Sequence, residues 1–199
     1  LRDVYKRQEM TALSNNPEKA RQVYGIGAVN RFSFSEVRRA LKDADLLLSG
    51  GGSLLQDITS TRSIIYYLSV IILAKFLRKK VYIYANGIGP IDKKSNRILT
   101  RWVLNRVNYI TLRDDLSYKF VRDLGITNKN IEVTADPVFT LEAAGEDRVE
   151  EILKSEKIKI TDKTIGFCIR DQKNIDEIKD KFAATIDKLI ETGYDILLV

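Results

Sequence analysis

Short, almost wholly apolar runs recur along the first part of the chain, at residues 10–13, 27–29, 45–49, 81–85, 109–112 and 131–135. Between them, apolar residues return at helical spacing over 18–23, from Ser33 to about 43, and over 63–78, 92–105 and 116–124, the last closed by Gly125. Ser33 with Glu36 three residues on predicts a capping box, and Phe32 with Val37 has the spacing of a hydrophobic staple. Apolar strands alternating with helices predict an α/β fold: a doubly wound parallel sheet, Rossmann-like, covered on both faces. Right-handed crossovers follow.

Past Ala143 the texture changes. Residues 142–159 are charged and helical in pattern, 163–170 read as a strand, 175–192 as a helix stopped by Gly193, and 196–199 as a strand. The expected organisation is a first Rossmann-like domain over 9–143, a linker helix over 144–162, and the start of a second, truncated Rossmann-like domain over 163–199. Residues 1–8 carry no usable period and join abruptly to the first apolar run, so they are expected to be a non-native scar. Val199 falls inside a strand pattern, and the chain is expected to be a piece of a longer protein.

Composition narrows the chemistry. The 199 residues are 44% hydrophobic and 30% charged, which is ordinary globular composition. There is no histidine, so no Ser-His or Cys-His triad and no His-ligated metal site forms within this chain. The Asp and Glu residues show no metal-ligand spacing, so no metal is expected. A single cysteine, Cys168, precludes an internal disulfide, fits a cytoplasmic location, and is expected in the core. The apolar run from Ile64 to Leu77 is short for a bilayer and carries Lys75, so it reads as a core helix. A net charge of +6 favours anionic partners, but the basic residues are scattered and nucleic acid binding is not expected. Lys93, Arg97 and Arg101 share a helix face, which is either solvated or a peripheral contact with an anionic membrane surface at the inner face.

Ligands of an open parallel sheet bind beyond the carboxyl ends of its strands. Four such ends are small, polar or charged: Ser49 to Ser53, Asn86 to Pro90, Arg113-Asp114, and Asp136-Pro137. Gly50, Gly51 and Gly52 lead toward a helix N-terminus, where bare N–H groups suit a phosphate or carboxylate, or they form a tight turn with no ligand. The spacing matches neither a dinucleotide fingerprint nor a P-loop. Asn86, Gly87 and Gly89 present backbone to a ligand or make a turn. Arg113 either clamps an anion or pairs with Asp114 or Asp115. Asp136 is read as a cap for backbone amides. Arg170 ends a strand of the second domain and is expected at an interdomain cleft, or on the surface. Tyr66 and Tyr67 are read as packing residues.

Taken in order, Ser49-Gly-Gly-Gly-Ser-Leu-Leu-Gln-Asp57, Tyr66-Tyr67-Leu68, Asn86-Gly-Ile-Gly-Pro90, Arg113-Asp114 with Ser117, and Ala135-Asp136-Pro137 resemble the polysaccharide pyruvyl transferase family, in particular its bacterial CsaB-type members. The resemblance runs from Met10 to the end of the chain. It implies a two-domain fold similar to GT-B glycosyltransferases, phosphoenolpyruvate as donor substrate and no cofactor. The implied acceptor is a sugar, often N-acetylmannosamine of a lipid-linked oligosaccharide in cell-wall biogenesis and surface-layer anchoring. The product would be a pyruvate ketal. Arg113 would grip the donor, the backbone of Gly50, Gly51, Gly52 and Ser53 would line the site, and Gln56 and Asp57 would bind acceptor hydroxyls or stabilise the loop. Asn86 stands where the family usually has Gln, and Arg170-Asp171 departs from the family's Arg-Pro turn. The family's histidine would lie beyond Val199, so the general acid is not assigned and this chain alone is expected not to turn over. The alternatives are a nucleotide-sugar GT-B glycosyltransferase and a non-catalytic anion- or sugar-binding module.

Overall fold

The computed structural model describes residues 8–58, 60–169 and 175–198. Its contacts divide the chain into two compact units, Leu1–Leu141 and Glu142–Val199.

In the first unit, β1 (Thr11–Ser14) pairs in parallel with β2 (Gly27–Asn30), joined by α1 (Pro17–Tyr24). After α2 (Phe34–Asp43) comes a second parallel sheet of four strands in sequential order, β3 (Leu46–Gly50), β4 (Lys80–Asn86), β5 (Tyr109–Leu112) and β6 (Ile131–Val133). The crossovers are α3 (Thr61–Phe76), α4 (Lys94–Leu104) and α5 (Asp115–Asp123). Parallel strands in sequence order, each crossing right-handed to its neighbour, place these three helices on one face. The core lies there, with Ile64, Leu68 and Ile71 of α3 and Leu104 of α4 meeting Val81, Ile83, Ile110 and Leu112 of the sheet. Parallel sheets and crossover helices fit a Rossmann-like α/β fold.

The expectation of cover on both faces is not met among the described residues. In β4 the burial alternates: Val81, Ile83 and Ala85 are buried while Tyr82 and Tyr84 are 38% and 46% exposed. Leu48, which pairs with Tyr82 in register, is 55% exposed on the same open face. All-apolar strands signal two covered faces only if some element lies against each of them.

The helix start at Phe34 forms, but not by the expected box. Ser33 is the N-cap, but its hydroxyl pairs with the Ser35 hydroxyl at 3.3 Å and caps no backbone N–H, and the Glu36 carboxylate accepts instead from the Asn30 N–H at 2.9 Å, tying α2 to the end of β2. Phe32 stands 72% exposed, its ring 6.1 Å from that of Tyr66.

In the second unit, α6 (Glu146–Ser155) precedes β7 (Thr164–Phe167), α7 (Ile175–Glu191) and β8 (Asp195–Leu198), with β7 and β8 parallel. The strand ends at Phe167, so Cys168 is exposed rather than in the core. Among the described residues no helix is long and apolar enough to cross a membrane, and no His, Cys, Asp or Glu group gathers as a metal site.

Candidate functional site

The segments after β3 and β4 run side by side and extend the β-ladder past both strands. Gly87 donates its N–H to the Gly52 carbonyl at 3.0 Å, Leu55 and Ile88 form a parallel bridge, and Gly89 N–H reaches the Leu55 carbonyl at 2.9 Å. Gly51 and Gly52 take φ of +82° and +60°, the left-handed region that costs glycine nothing, and none of the described residues stands within 4 Å of where a Cβ would be. Asn86 is wholly buried between the two segments. With its amide oriented to satisfy its neighbours, the NH₂ donates to the Gly52 carbonyl at 3.2 Å and the Gly87 carbonyl at 3.1 Å. The Asn86 side chain therefore acts on the glycine loop and meets no solvent.

The pairing of β4 with β5 shifts register between Ile83 and Asn86. Ala85 sits in this bulge at φ +45°, its N–H held by Thr111 Oγ1 at 2.7 Å. A non-glycine residue there is strained, and such strain persists only where its surroundings over-determine it.

Arg113, just past β5, gathers the rim. Its Nη2 donates to Ser53 Oγ at 3.0 Å, its Nη1 to Asp136 Oδ2 at 3.2 Å, and its Nε lies 3.4 Å from Asp114 Oδ2. One guanidinium thus joins residues located after β3, β5 and β6. It packs on Gly87 after β4, where an added Cβ would stand 2.8 Å from Ser53 Oγ and 2.9 Å from Arg113 Nε. Three of the five guanidinium N–H donors are spent, which leaves one on each terminal nitrogen.

The two carboxylates around Arg113 also cap backbone. Asp114 is the N-cap of α5, accepting from Ser117 N–H at 2.6 Å. Burial pushes its carboxyl up, but the Ser117 N–H and hydroxyl and the Arg113 guanidinium outweigh this and hold it below the usual carboxylate value. Asp136 accepts from Val138 N–H at 3.1 Å, opening a 3₁₀ turn (Pro137–Thr140). Ser117, buried in the first turn of α5, accepts the Ile88 N–H at 3.0 Å and so fixes the segment after β4 from the other side. Gly89, at φ +95°, lies against Phe120, whose Cδ1 would be 2.7 Å from an added Cβ.

Asp57 is engaged elsewhere. Its Oδ1 accepts from Asp92 N–H at 2.9 Å, and its Oδ2 from Lys93 N–H at 3.2 Å and Asn96 Nδ2 at 2.7 Å. These donors surround the start of α4, whose N-cap, Lys93, makes no side-chain cap bond. Asp57 is thus a cap supplied from another part of the chain. Burial pushes its carboxyl up, and the hydrogen bonds from Asp92, Asn96 and Lys93 together with the Lys93 charge bring the net shift below the usual value. Gln56, half-buried, sits between Leu55 and Asp57.

The structure therefore brings Gly50, Gly51, Gly52, Ser53, Asn86, Gly87, Gly89, Arg113, Asp114, Ser117 and Asp136 to one rim. The glycine loop is not at a helix N-terminus, because residues 53–60 intervene before α3 begins at Thr61. Arg170 lies outside the described residues. Of the basic helix face, Lys93 precedes α4, Arg97 donates to the Ile91 carbonyl at 3.0 Å and stacks over Phe120, and Arg101 lies beside Gly125. Sequence reasoning missed Thr111 and Asn96, which carry no motif. It also missed Arg31, which inspection of every strand's carboxyl end would have found just past β2.

The chain is similar to the amylovoran biosynthesis protein AmsJ of Erwinia amylovora, with 27% identity over 172 residues, covering 79% of this chain and 39% of that protein. It therefore spans less than half the length of that relative. No solved structure matches. A family model described as polysaccharide pyruvyl transferase matches residues 1–199, and the chain belongs to that family.

Proposed function

We propose that the chain contributes to pyruvyl transfer in polysaccharide synthesis, taking phosphoenolpyruvate as donor and a sugar of a growing or lipid-linked glycan as acceptor. The observation that carries this reading is the family match along the whole chain, joined to a rim where one arginine collects residues from three strand ends. AmsJ, the relative, is described as acting in the biosynthesis of amylovoran.

Ketal formation from an enol phosphate needs a proton at C3, addition of two sugar hydroxyl oxygens at C2, and cleavage of the C2–O bond to phosphate. Of the two hydroxyl protons, one is balanced by the proton gained at C3 and the other leaves with phosphate. Both anionic groups of the donor have to be held as charge builds on the leaving oxygen. Arg113 is suited to the carboxylate or phosphate, because each terminal nitrogen keeps one N–H. Ser53 Oγ and the exposed glycine backbone line the same place. Asn86 and Ser117 hold the two segments rigid, which is what positioning demands. Asp57 supports the rim through α4. No general acid is assigned, the chain having no histidine.

Calorimetric titration of the chain with phosphoenolpyruvate and, separately, with a uridine-diphosphate sugar tests the proposal. Phosphoenolpyruvate is expected to bind and to lose at least tenfold in affinity in Arg113→Met. Binding of the nucleotide sugar alone would overturn the reading in favour of glycosyl transfer, and donor binding indifferent to Arg113 would overturn the role given to that residue.

A further inference from the structure

Arg113 is a guanidinium whose partners are mostly in place; Arg31 is the opposite case. Arg31 comes directly after β2, and its guanidinium carbon lies 4.3 Å from the ring centre of Tyr66, 5.2 Å from that of Phe32 and 5.5 Å from that of Tyr67. Tyr66 and Tyr67 stand on α3 soon after its start at Thr61. Helices of parallel crossovers begin on the side where strands end, so Arg31 belongs to the same kind of rim as the glycine loop.

Among the described residues, no carboxylate pairs with Arg31, and its guanidinium makes no hydrogen bond of normal geometry with the protein. Its Nε is buried, as is the neighbouring Tyr66 hydroxyl, and neither makes a hydrogen bond of normal geometry. Burial pushes the Tyr66 hydroxyl up, and the Arg31 guanidinium beside it offsets this only in part, by its charge and by a loose side-chain hydrogen bond. Glu36, the acid at this turn, spends Oε2 on the Asn30 N–H. Stacking uses the face of a guanidinium and leaves its in-plane N–H groups directed outward, the arrangement that suits bidentate capture of a phosphate. Charge points the same way. The first turn of α3 has no acidic residue and holds Arg62, one turn before Tyr66. A cation there works against the helix dipole, and an incoming anion would relieve it. Phe32, largely exposed beside the guanidinium, offers an apolar ring to whatever the phosphate is attached to.

We propose that Arg31, stacked among Phe32, Tyr66 and Tyr67, is a second anion site, which takes the phosphate ester of a glycosyl phosphate, with the sugar ring against Phe32. On the pyruvyl-transfer reading, on which only this last identification rests, the ligand is the phosphorylated end of the acceptor. The two arginines then divide the work, Arg113 holding the donor and Arg31 the acceptor.

The test titrates the chain and its Arg31→Met and Arg113→Met variants with α-glucose 1-phosphate, inorganic phosphate and phosphoenolpyruvate. Glucose 1-phosphate is expected to bind more tightly than inorganic phosphate. Its affinity should fall at least tenfold in Arg31→Met and stay within twofold in Arg113→Met, with phosphoenolpyruvate showing the reverse pattern. Phenylglyoxal labelling of the unsubstituted chain, read by mass spectrometry, should show Arg31 protected by glucose 1-phosphate. This keeps the test decisive if the variant does not fold. Unchanged affinity in a folded Arg31→Met, or labelling of Arg31 that saturating glucose 1-phosphate does not slow, would overturn the proposal and leave a purely packing arginine. Loss of phosphoenolpyruvate binding in the parent chain with Arg31-dependent glucose 1-phosphate binding intact would instead overturn the donor assignment alone.

Discussion

The Ser53 hydroxyl accepts a hydrogen bond from Arg113 Nη2 at 3.0 Å, linking the segment after β3 to the residue after β5. Gly87, between them, makes the contact possible by having no side chain. Gly87→Ala would place a methyl group 2.8 Å from Ser53 Oγ and 2.9 Å from Arg113 Nε. The expected result is at least tenfold weaker phosphoenolpyruvate binding. The stability loss should be small, about 1 kcal/mol by urea unfolding, since the strain falls on a partly exposed side chain that can move. Unaltered donor affinity would show that the Arg113–Ser53 pair does not hold the donor.

Arg113→Lys tests the fork itself. Lysine keeps the charge between Asp114 and Asp136 but cannot reach both carboxylates and Ser53 from one planar group. Donor affinity is expected to fall at least fivefold while the thermal midpoint moves only slightly, because partly exposed ion pairs contribute about 0–1 kcal/mol.

Asp57 carries a pH signature. Its carboxyl is held below its ordinary value of 3.8 in the folded chain. A lowered carboxylate contributes stability above the unfolded value and loses it as pH falls through the folded one. Urea midpoints should therefore drop below about pH 4 more steeply in the parent than in Asp57→Asn. At neutral pH Asp57→Ala is expected to cost about 2 kcal/mol or more, through an uncapped helix start and an unpartnered Asn96 amide. Parallel pH profiles in parent and Asn variant would refute the assignment.

Ser117→Ala leaves the Ile88 N–H buried without its acceptor, whose distance is now 3.0 Å. An unsatisfied buried donor costs about 1–3 kcal/mol. Hydrogen exchange at Ile88 and Gly89 should speed up in the variant, and unchanged exchange there would show that the ladder with Gly52 and Leu55 holds this segment unaided.

How far the fold can be read from the sequence differs by feature. The strand at Tyr109–Leu112 coincides with its apolar run, and α4 and α5 lie within two residues of their periodic segments. The four polar strand ends were legible because glycine, asparagine, arginine and aspartate break the apolar runs at the carboxyl ends of the strands. The partner of Asp57 was not, since 35 residues separate it from Asp92 and nothing local marks a remote cap. Ser33 shows the converse, a local signal overridden when Glu36 found the Asn30 N–H.

The order of elements, the helix and strand periods and the chemistry of the rim were determined by the sequence alone, because they derive from spacing and residue type. Tertiary structure decided how those residues are used. It spent most of Arg113 on Ser53, Asp114 and Asp136, turned Asn86 inward and, among the described residues, left one face of the four-stranded sheet open and kept Arg31 among three rings with no carboxylate partner. The reason is that hydrogen-bond partners and cover for an apolar face come from distant parts of the chain, and only packing brings them within a few ångströms.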